Sequence, residues 1–527
     1  MTIDSMYVYE GLLRYNYFPM VKEHRDDIPP LFSTEDFTAE IADKLIERQN
    51  AKSSKDKDLR GNDGFDQIEY RTTRFNNVLR LMHIPHPNPY ARLCKCIHDN
   101  WDNIKHICDN DYSVIKPSRH DSRVVVIAEY ESIELGRLVV MGRDRFPDDL
   151  MRYLDLSSGT RYSIDADVSS CFPSLYTHAL PWALVGHESA KKDKKSGHWF
   201  NKLDSCQRYL KRNETQGVPV GPATSNLVNE IILCKVDEAL AKKKYKFFRI
   251  IDDFKCYAKT REEAEAFVRD LEQELSKYLL LLNAKKVSIS ELPLPAKSDW
   301  ISDLMTRLPP EENLKAQHVA IFLDSAVTLQ RQNPQGSIIK YAARVLSGKV
   351  NKDNVEVYFR YLLQLTFHYP AILPIICESF KKWLVPLDGE YLNSMVANHL
   401  EFRRSDAVSW GLYLLRLTKK KISVNLAKKV VDSGDCMTMA TLLGINRHTD
   451  LVIEFVKSLR SKHHYEFDKY WLLIYELIRS GHFGSDDFDK YVEKTGLQIL
   501  IDEDVAFIRK LSLLKRNRVG FPQADQK

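Results

Sequence analysis

The chain has 527 residues, about three and a half average domain lengths, so it can bury more than one hydrophobic core. Apolar residues make up 44% and charged residues 28% of it, which excludes wholesale disorder and collagen-like classes. Its 9 cysteines are scattered and odd in number, which argues against a disulfide framework and favours a reducing compartment. The formal charge of +5 is too small to indicate a nucleic-acid partner by itself.

The sequence carries no recognisable targeting or membrane segment. It starts MTIDSMYVYEG, which lacks the basic and apolar regions of a signal peptide. The longest apolar run, at residues 278–282, is far shorter than the roughly 20 residues that a bilayer span needs. We therefore expect a cytoplasmic protein.

Residues 1–120 form the first of three zones and are rich in His, Pro and Arg. The polar stretch 51–64 predicts a loop, and HIPHPNP at 83–89 predicts a turn. We interpret this zone as a mixed N-terminal region.

Residues 121–304 alternate between strand-like and helical patterns. The apolar and β-branched runs predict four strands, the first two paired as a hairpin: 123–128, 137–141, 162–167 and 247–251. Apolar residues at helical spacing predict two long helices between or after them: 222–240 and 261–282.

Residues 305–527 are almost purely helical in pattern. Apolar residues recur at i, i+3 and i+4, and they predict successive helices at 319–329, 338–346, 355–367, 372–384 and 391–402, with more to 514. No strict period is visible, and we interpret the zone as an α-helical array of HEAT-like repeats. Such an array offers broad surfaces, so we expect self-association into a homo-oligomer.

Acidic residues stand at two strand ends. RIIDDF at 249–254 predicts a hairpin whose turn presents Asp252 and Asp253, and the strand YSIDAD ends in Asp167. If these strands are neighbours, their carboxylates converge as the oxygen ligands that Mg²⁺ prefers, with Mn²⁺ as a substitute. Two such ions about 3.5–4 Å apart can activate an attacking hydroxyl and stabilise a departing pyrophosphate. The alternative is a pair of turn-capping acids without a metal.

Two further segments carry residues suited to a nucleotide. QGVPVG at 216–221 places Gly217 and Gly221 on either side of Pro219, forming a loop through which backbone can approach a ligand, and a helix begins just after it. Gln216 adds uncharged donors and an acceptor. LNAKK at 282–286 offers Lys286, which could reach a triphosphate.

The order and spacing of these motifs resemble the palm of reverse transcriptases. More closely, SLYTHALPW at 174–182 and ETQGVPVG at 214–221 are similar to the abortive-infection reverse transcriptases of bacteria, the AbiK-type group and its prophage-borne relatives. The resemblance covers residues 162–295. It implies an α+β fold with reverse-transcriptase-like fingers and palm, followed by an all-α helical-repeat domain and no thumb.

The resemblance also implies domain limits and residue roles. The domains would be 1–120 (N-terminal region and fingers), 121–304 (palm, with a fingers hairpin at about 123–141) and 305–527 (helical repeats). Asp167 and Asp252 would bind the metal, and Asp253 would be the less essential neighbour among the three catalytic acids. Phe172 would lie under the incoming sugar and exclude a 2′-hydroxyl. The nucleotide contacts would be Phe172, Gln216, Gly217, Pro219, Gly221, Lys286 and Arg123.

The group resembled here makes DNA without a template, primed by a protein side chain, in defence against phage. The resemblance implies deoxynucleoside triphosphates as substrates and a single-stranded DNA product attached covalently to the protein, in a bacterial cytoplasm. The priming hydroxyl would come from the N-terminal tyrosines Tyr7, Tyr9, Tyr15 and Tyr17.

Two departures keep other functions open. Ile250 stands where most reverse transcriptases have an aromatic residue, and no thumb-like segment is recognisable after residue 295. The alternatives are a template-copying reverse transcriptase of retron or intron type and a non-catalytic scaffold that binds nucleic acid. Both departures count against the first, and the retention of all three acids counts against the second.

Overall fold

The computed structural model describes residues 3–509 except 23, 25, 54–62, 75–77, 122–124, 128–129, 133–134, 142–145, 196, 297, 309, 311–313 and 484–486. Within these residues the buried apolar side chains, from Ile3 to Ile508, form one contiguous cluster. No helix of the described chain is long and apolar enough to cross a membrane.

The N-terminal zone combines short helices with one long hairpin. Its elements are α1 (Ser5–Glu10) with a π-helical turn at Gly11–Tyr15, α2 (Ala39–Ser53), β1 (Gln67–Thr73), β2 (Leu79–Pro85), α3 (Pro87–Asp99), α4 (Trp101–Ile104) and a 3₁₀ turn at Lys105–Asp109. The turn predicted at 83–89 is wrong: it is the end of β2 and the start of α3. His86 caps α3 through its side chain, and a proline in the first helical turn loses no hydrogen bond.

Four short strands follow: β3 (His120–Asp121), β4 (Val125–Ile127), β5 (Tyr130–Ser132) and β6 (Leu135–Arg137). The predicted pairing of 123–128 with 137–141 is wrong, because β4 pairs with β5 and β3 pairs with β6. For β4, pairing with the nearer segment closes a shorter loop, which costs less entropy. Met141 instead lies beside Lys22 in a parallel bridge.

A four-stranded antiparallel sheet forms the centre of the second zone. The elements are α5 (Phe146–Ser157), β7 (Tyr162–Asp167), α6 (Cys171–Ser174), α7 (Ala179–Val185), α8 (His187–Lys192), α9 (Trp199–Tyr209), α10 (Ala223–Lys242), β8 (Lys246–Ile250), β9 (Asp253–Ala258), α11 (Arg261–Ser276) and β10 (Ser288–Glu291). The strand order is β10-β7-β9-β8. This confirms the strand predicted at 162–167 and the hairpin around residues 249–254.

The helix predicted at 261–282 begins as expected and ends early. Thr260 caps its first turn by accepting from the Glu263 N–H, but α11 stops at Ser276, and Leu279 adopts a positive φ of 60°. The next residues then pair with the end of β7, where the Ser169 N–H donates to the Leu281 carbonyl at 2.8 Å. The chain therefore returns to the sheet edge at the residues that precede Lys286.

Every regular element described after residue 298 is helical. They are α12 (Asp299–Met305), α13 (Ala316–Gln332), α14 (Ile338–Ser347), α15 (Val355–Thr366), α16 (Leu373–Trp383), α17 (Gly389–Glu401), α18 (Ser405–Leu417), α19 (Val424–Asp432), α20 (Cys436–Gly444), α21 (Thr449–Ser458), α22 (His464–Lys469), α23 (Trp471–Arg479), α24 (Asp487–Thr495) and α25 (Leu497–Asp502), with 3₁₀ turns at Pro370–Ile372 and Leu459–Ser461. Many pack on the next helix and on the next but one, as α13 does with α14 and α15.

The helical zone returns to the N-terminal hairpin. Helices α18, α20 and α22 contact β1, and α25 packs on α2. The Thr73 N–H donates to the Asp406 carboxylate at 2.7 Å, and the Arg71 N–H donates to the Ser405 hydroxyl at 3.1 Å. The β1–β2 hairpin is therefore supported by helices that lie more than 300 residues away in sequence.

Candidate active site

Three carboxylates converge at one end of the central sheet. Asp167 ends β7 and lies directly opposite Asp253, the first residue of the adjacent strand β9. Asp252 occupies the turn just before it. One carboxylate oxygen from each of the three lies within 4.8 Å of the others. The convergence expected from the two strand ends is therefore present.

The turn that carries Asp252 has an unusual backbone. Ile251 has a φ of 61°, a conformation that costs a β-branched residue about 1–3 kcal/mol. On one side the Asp252 carbonyl accepts from the Val168 N–H at 3.1 Å, which links the turn to the residue after Asp167. Neighbouring backbone thus holds the turn against this strain.

The three carboxyl groups have different proton affinities. Burial alone would raise the pKa of Asp167, but hydrogen bonds from Lys286, Asp253 and Asn283 hold that pKa below its ordinary value. Burial and then the Asp167 charge raise the pKa of Asp252. Desolvation, followed by the hydrogen bond with Asp167, raises the pKa of Asp253 to about 7. Besides burial, neighbouring negative charge contributes to the raised pKa values of Asp252 and Asp253, and a bound cation would relieve that contribution.

Two side chains from the turn that precedes β10 reach Asp167. The Lys286 ammonium donates to Asp167 Oδ1 at 2.8 Å, and the Asn283 amide donates to Oδ2 at 3.1 Å. The hydrogen bond with Asp167 raises the pKa of Lys286, so this side chain stays charged. One ammonium beside three carboxylates leaves a surplus of negative charge. A set of hard oxygen ligands with this surplus fits a divalent metal ion.

Asp167 and Asp252 line a cleft of about 880 Å³, and Asp253 lies beside them. We call Asp167, Asp252 and Asp253 the acid wall. Basic side chains from the β1–β2 hairpin, from the loop after α9 and from α22 also line the cleft, and we call them the basic wall: Arg74, Arg80, Lys211, Arg212 and Lys469. The cleft therefore brings together a site for cations and a surface for anionic groups.

Phe172 and the glycine-containing loop lie together in this cleft. Phe172 is half-buried and lines the cleft, and its carbonyl accepts from the Val218 N–H at 2.9 Å. Gly217 has a φ of 82°, and a Cβ on it would lie 2.8 Å from the Pro173 carbonyl oxygen. Gly221 lines the cleft as well, and a Cβ there would meet the His83 carbonyl at 3.1 Å. Both glycines are therefore required for this close packing.

The loop's other two predicted residues face elsewhere. The Gln216 amide donates to the Ser174 carbonyl at 2.8 Å, and Gln216 is not among the residues that line the cleft. Pro219 is buried behind the lining, where its carbonyl accepts from the Ser225 hydroxyl. Their direct contact with a nucleotide stays a prediction, because the structure brings only the two glycines to the cleft surface.

The predicted fingers contact, Arg123, lies outside the described residues. The structure brings Arg74 and Arg80 to the cleft, and sequence reasoning missed both. Desolvation and then Arg74 lower the pKa of Arg80, while the carboxylates of Asp27 and Asp252 oppose that shift. The sequence did carry a signal for the strand that holds Arg80. In LRLMHIP at 79–85, apolar and polar residues alternate approximately with the period of a strand.

The four candidate priming tyrosines differ in exposure. Tyr9, Tyr15 and Tyr17 are buried, with the Tyr9 hydroxyl donating to Asp43 and the Tyr17 hydroxyl donating to the Pro85 carbonyl. Tyr7 is half-buried, and its hydroxyl donates to the Arg137 carbonyl at 3.2 Å. Four residues after Tyr17 in the sequence, Val21 lines the cleft. Tyr7 is thus the most accessible of the four in this conformation.

Comparison with known proteins identifies the central part of the chain. Residues 93–321 match the family model described as reverse transcriptase (RNA-dependent DNA polymerase). A reverse transcriptase domain is therefore present over these residues, which are less than half of the chain. No curated protein shows a significant match to the sequence.

The solved structures similar to this chain include fungal telomerases. Apo telomerase from Candida tropicalis, truncated from its C-terminal domain, is 15% identical and covers 50% of this chain, with a TM-score of 0.30; this chain spans 57% of it. The untruncated apo enzyme is 14% identical, with a TM-score of 0.31, and the match covers 76% of this chain and 74% of that one. Telomerase from Candida albicans in complex with a TWJ fragment of telomeric RNA is 14% identical, with a TM-score of 0.27 and 70% of each chain covered. Likenesses this weak support no conclusion about function.

Proposed function

We propose that this protein is a metal-dependent nucleotidyltransferase that polymerises deoxynucleotides in the cleft between the acid and basic walls. The observation that carries the proposal is the convergence of Asp167, Asp252 and Asp253 within 4.8 Å, beside Lys286 and Phe172. The reverse transcriptase domain matched at 93–321 supports the same chemistry.

Asp167 and Asp252 would hold divalent ions, Mg²⁺ or in its place Mn²⁺, with Asp253 beside them. Bound there, such ions supply charge stabilisation to the attacking and departing oxygens of an in-line displacement. Lys286 and Arg80 would bind the triphosphate, since ammonium and guanidinium groups pair strongly with phosphate oxygens. The Phe172 ring would pack under the sugar and leave no room for a 2′-hydroxyl.

The finer assignment is to an abortive-infection system, with untemplated synthesis and a protein primer. Its support is the likeness of residues 174–182 and 214–221 to the AbiK-type group. The described elements after residue 298 are helices that pack on one another and on β1, an arrangement that favours HEAT-like repeats over a separate thumb. Such surfaces also suit a homo-oligomer.

A protein primer needs a hydroxyl that reaches the metal centre. Among the four predicted tyrosines, Tyr7 is the most accessible, and the segment that follows them runs along the cleft at Val21. Tyr9, Tyr15 and Tyr17 would first have to leave the core. We therefore place Tyr7 first among the candidates.

A template-copying reverse transcriptase is the second candidate, because the matching family is described as RNA-dependent. One experiment separates the two functions. Purified protein is incubated with Mg²⁺ and one labelled deoxynucleoside triphosphate, with and without a template–primer duplex, and then run on a denaturing protein gel.

Label that migrates with the protein without added nucleic acid supports untemplated, protein-primed synthesis. Label that needs the duplex and migrates as free DNA supports the template-copying enzyme. No label under either condition contradicts both and leaves a nucleic-acid-binding scaffold. Tyr7→Phe, compared with Tyr112→Phe as a control, tests the primer by whether the protein-linked label is lost.

A further inference from the structure

A buried arginine lies three residues before Asp252. Arg249 of β8 is 0% exposed. Its Nε donates to Asp237 at 3.1 Å and its Nη2 to Asp237 at 2.6 Å and to Glu230 at 2.8 Å. Its Nη1 donates to Glu230 at 3.0 Å and to the Ile251 carbonyl at 2.7 Å. All five N–H donors of the guanidinium are therefore used.

The partners of this arginine are buried as well. Glu230 and Asp237 lie two turns apart on α10, and they are 3% and 0% exposed. The Asn110 amide donates to Asp237 at 2.7 Å and to Glu230 at 3.3 Å, which compensates part of the surplus negative charge. We call Arg249, Glu230, Asp237 and Asn110 the buried network.

Stability alone is a poor explanation of the buried network. Buried charges lose their hydration, and well-packed apolar residues of similar volume are often as stable or more stable. A charged cluster with every donor used does, however, fix geometry, because each group has one orientation that satisfies its partners.

The group whose geometry is fixed belongs to the candidate metal centre. The fifth donor of Arg249 holds the Ile251 carbonyl, and Ile251 is the residue with the strained φ of 61°. On the other side of that turn, the Asp252 carbonyl accepts from the Val168 N–H. The peptide units around Asp252 are thus held from the interior by a side chain and from β7 by backbone.

We propose that Arg249 is a positioning residue that holds the Ile251–Asp252 turn so that the Asp252 carboxylate points at the metal site. Glu230 and Asp237 act through it by fixing the guanidinium. Because α10 begins directly after Gly221 and Pro222, the network also joins the turn to the loop that lines the cleft. The proposal rests on the proposed function only in assigning a metal to Asp252.

Three variants test it. Arg249→Lys keeps the charge but has three donors instead of five, so it cannot hold both carboxylates and the carbonyl. The triple variant Arg249→Met/Glu230→Gln/Asp237→Asn removes all charge from the network, so it leaves no unpaired buried charge, and we expect it to fold even if the lysine variant does not. Arg479→Lys is the matched control, because Arg479 is also mostly buried and also bound to two acids, Glu476 and Asp504, but lies outside the cleft.

The main measurement is the affinity for Mn²⁺ in the absence of nucleotide, determined by electron paramagnetic resonance. The melting temperature and the rate of nucleotide incorporation are measured for each variant as well. We expect the Mn²⁺ dissociation constant of Arg249→Lys and of the triple variant to rise about 10- to 100-fold, the usual effect of losing a group that orients a metal ligand. Incorporation should fall through kcat. Arg479→Lys should keep wild-type affinity whatever its melting temperature.

Wild-type Mn²⁺ affinity in the folded triple variant would overturn the proposal. A loss of Mn²⁺ affinity in Arg479→Lys as large as that in Arg249→Lys would also overturn it. A purely structural role predicts a lower melting temperature with unchanged affinity. If the wild-type protein binds Mn²⁺ but transfers no nucleotide, the proposed function fails while the affinity comparison still decides the role of Arg249.

Discussion

The two walls of the cleft are built in opposite ways. In the acid wall, Asp167 stands at the end of an inner strand and Asp252 in a strained turn, and main-chain hydrogen bonds and the buried Arg249 hold that turn. In the basic wall, long side chains are partly exposed and held by surface ion pairs, such as that of Arg212 with Asp66 at 2.6 Å. Lys211 pairs in the same way with Glu214 at 3.2 Å.

The difference indicates a division of labour. Groups held by backbone and buried networks keep one geometry, which is what a metal centre requires. Exposed cations on flexible stems contribute attraction with little geometric demand, and their surface ion pairs with neighbouring acids are worth only about 0–1 kcal/mol each. We therefore expect changes in the acid wall to abolish turnover, and changes in the basic wall to weaken substrate binding by graded amounts.

The largest expected effect is that of Asp252→Asn. The change removes one charge from the metal site at constant shape. The charge stabilisation that bound ions supply is worth several kcal/mol, so kcat should fall on the order of 10³-fold. The control is Asp165→Asn on β7, whose carboxylate pairs with Lys255 and does not line the cleft. Near-normal synthesis by Asp252→Asn would remove this residue from the acid wall's function.

A second, smaller effect is expected from Arg80→Ala in the basic wall. Loss of a charge-assisted hydrogen bond to the triphosphate should raise KM for the nucleotide about 10- to 100-fold, with kcat changed much less. Steady-state kinetics checks it, with Arg261→Ala on the surface of α11 as the control. A fall in kcat equal to that of the acid-wall variant would break the division between the walls.

Phe172→Ala tests a residue that lines the same cleft but belongs to neither wall. Removing the ring opens space under the sugar, so the preference for deoxynucleotides over ribonucleotides should fall about tenfold. Competition between the two labelled nucleotides measures it. Phe248→Ala, a half-buried ring on β8 away from the cleft, serves as the control. Unchanged selectivity would refute the steric role of Phe172.

The smallest effect is expected from Lys469→Ala. This side chain is 40% exposed and pairs with Glu466 at 2.8 Å, and exposed ion pairs contribute about 0–1 kcal/mol. KM should therefore change by less than about fivefold, and the change should vanish at high salt. A loss of turnover in this variant would mean that α22 belongs to the catalytic centre.

The acid wall could be predicted from the sequence because its signals are local. The strand before Asp167 and the hairpin at Asp252 each follow from alternation and turn chemistry within a few residues. The helices of the C-terminal zone were predictable for the same reason, as in α14, where Ile338–Ser347 agrees closely with the pattern at 338–346.

The basic wall and the buried network depend on distant contacts, which one sequence does not reveal. The β1–β2 hairpin is positioned by Ser405 and Asp406, far along the chain. Glu230 and Asp237 resemble ordinary surface acids until α10 is seen to be buried on nearly every side. Their spacing of two helical turns, across the mainly apolar segment 231–236, was the available sign of a shared buried partner.

The most direct test of the metal centre is anomalous scattering from crystals of the protein soaked with Mn²⁺ and a non-hydrolysable deoxynucleoside triphosphate. We predict two anomalous peaks about 3.5–4 Å apart, bridged by the carboxylates of Asp167 and Asp252, with the triphosphate reaching towards Arg80 and Lys286. Peaks located only elsewhere, or a triphosphate bound away from these carboxylates, would contradict the central claim.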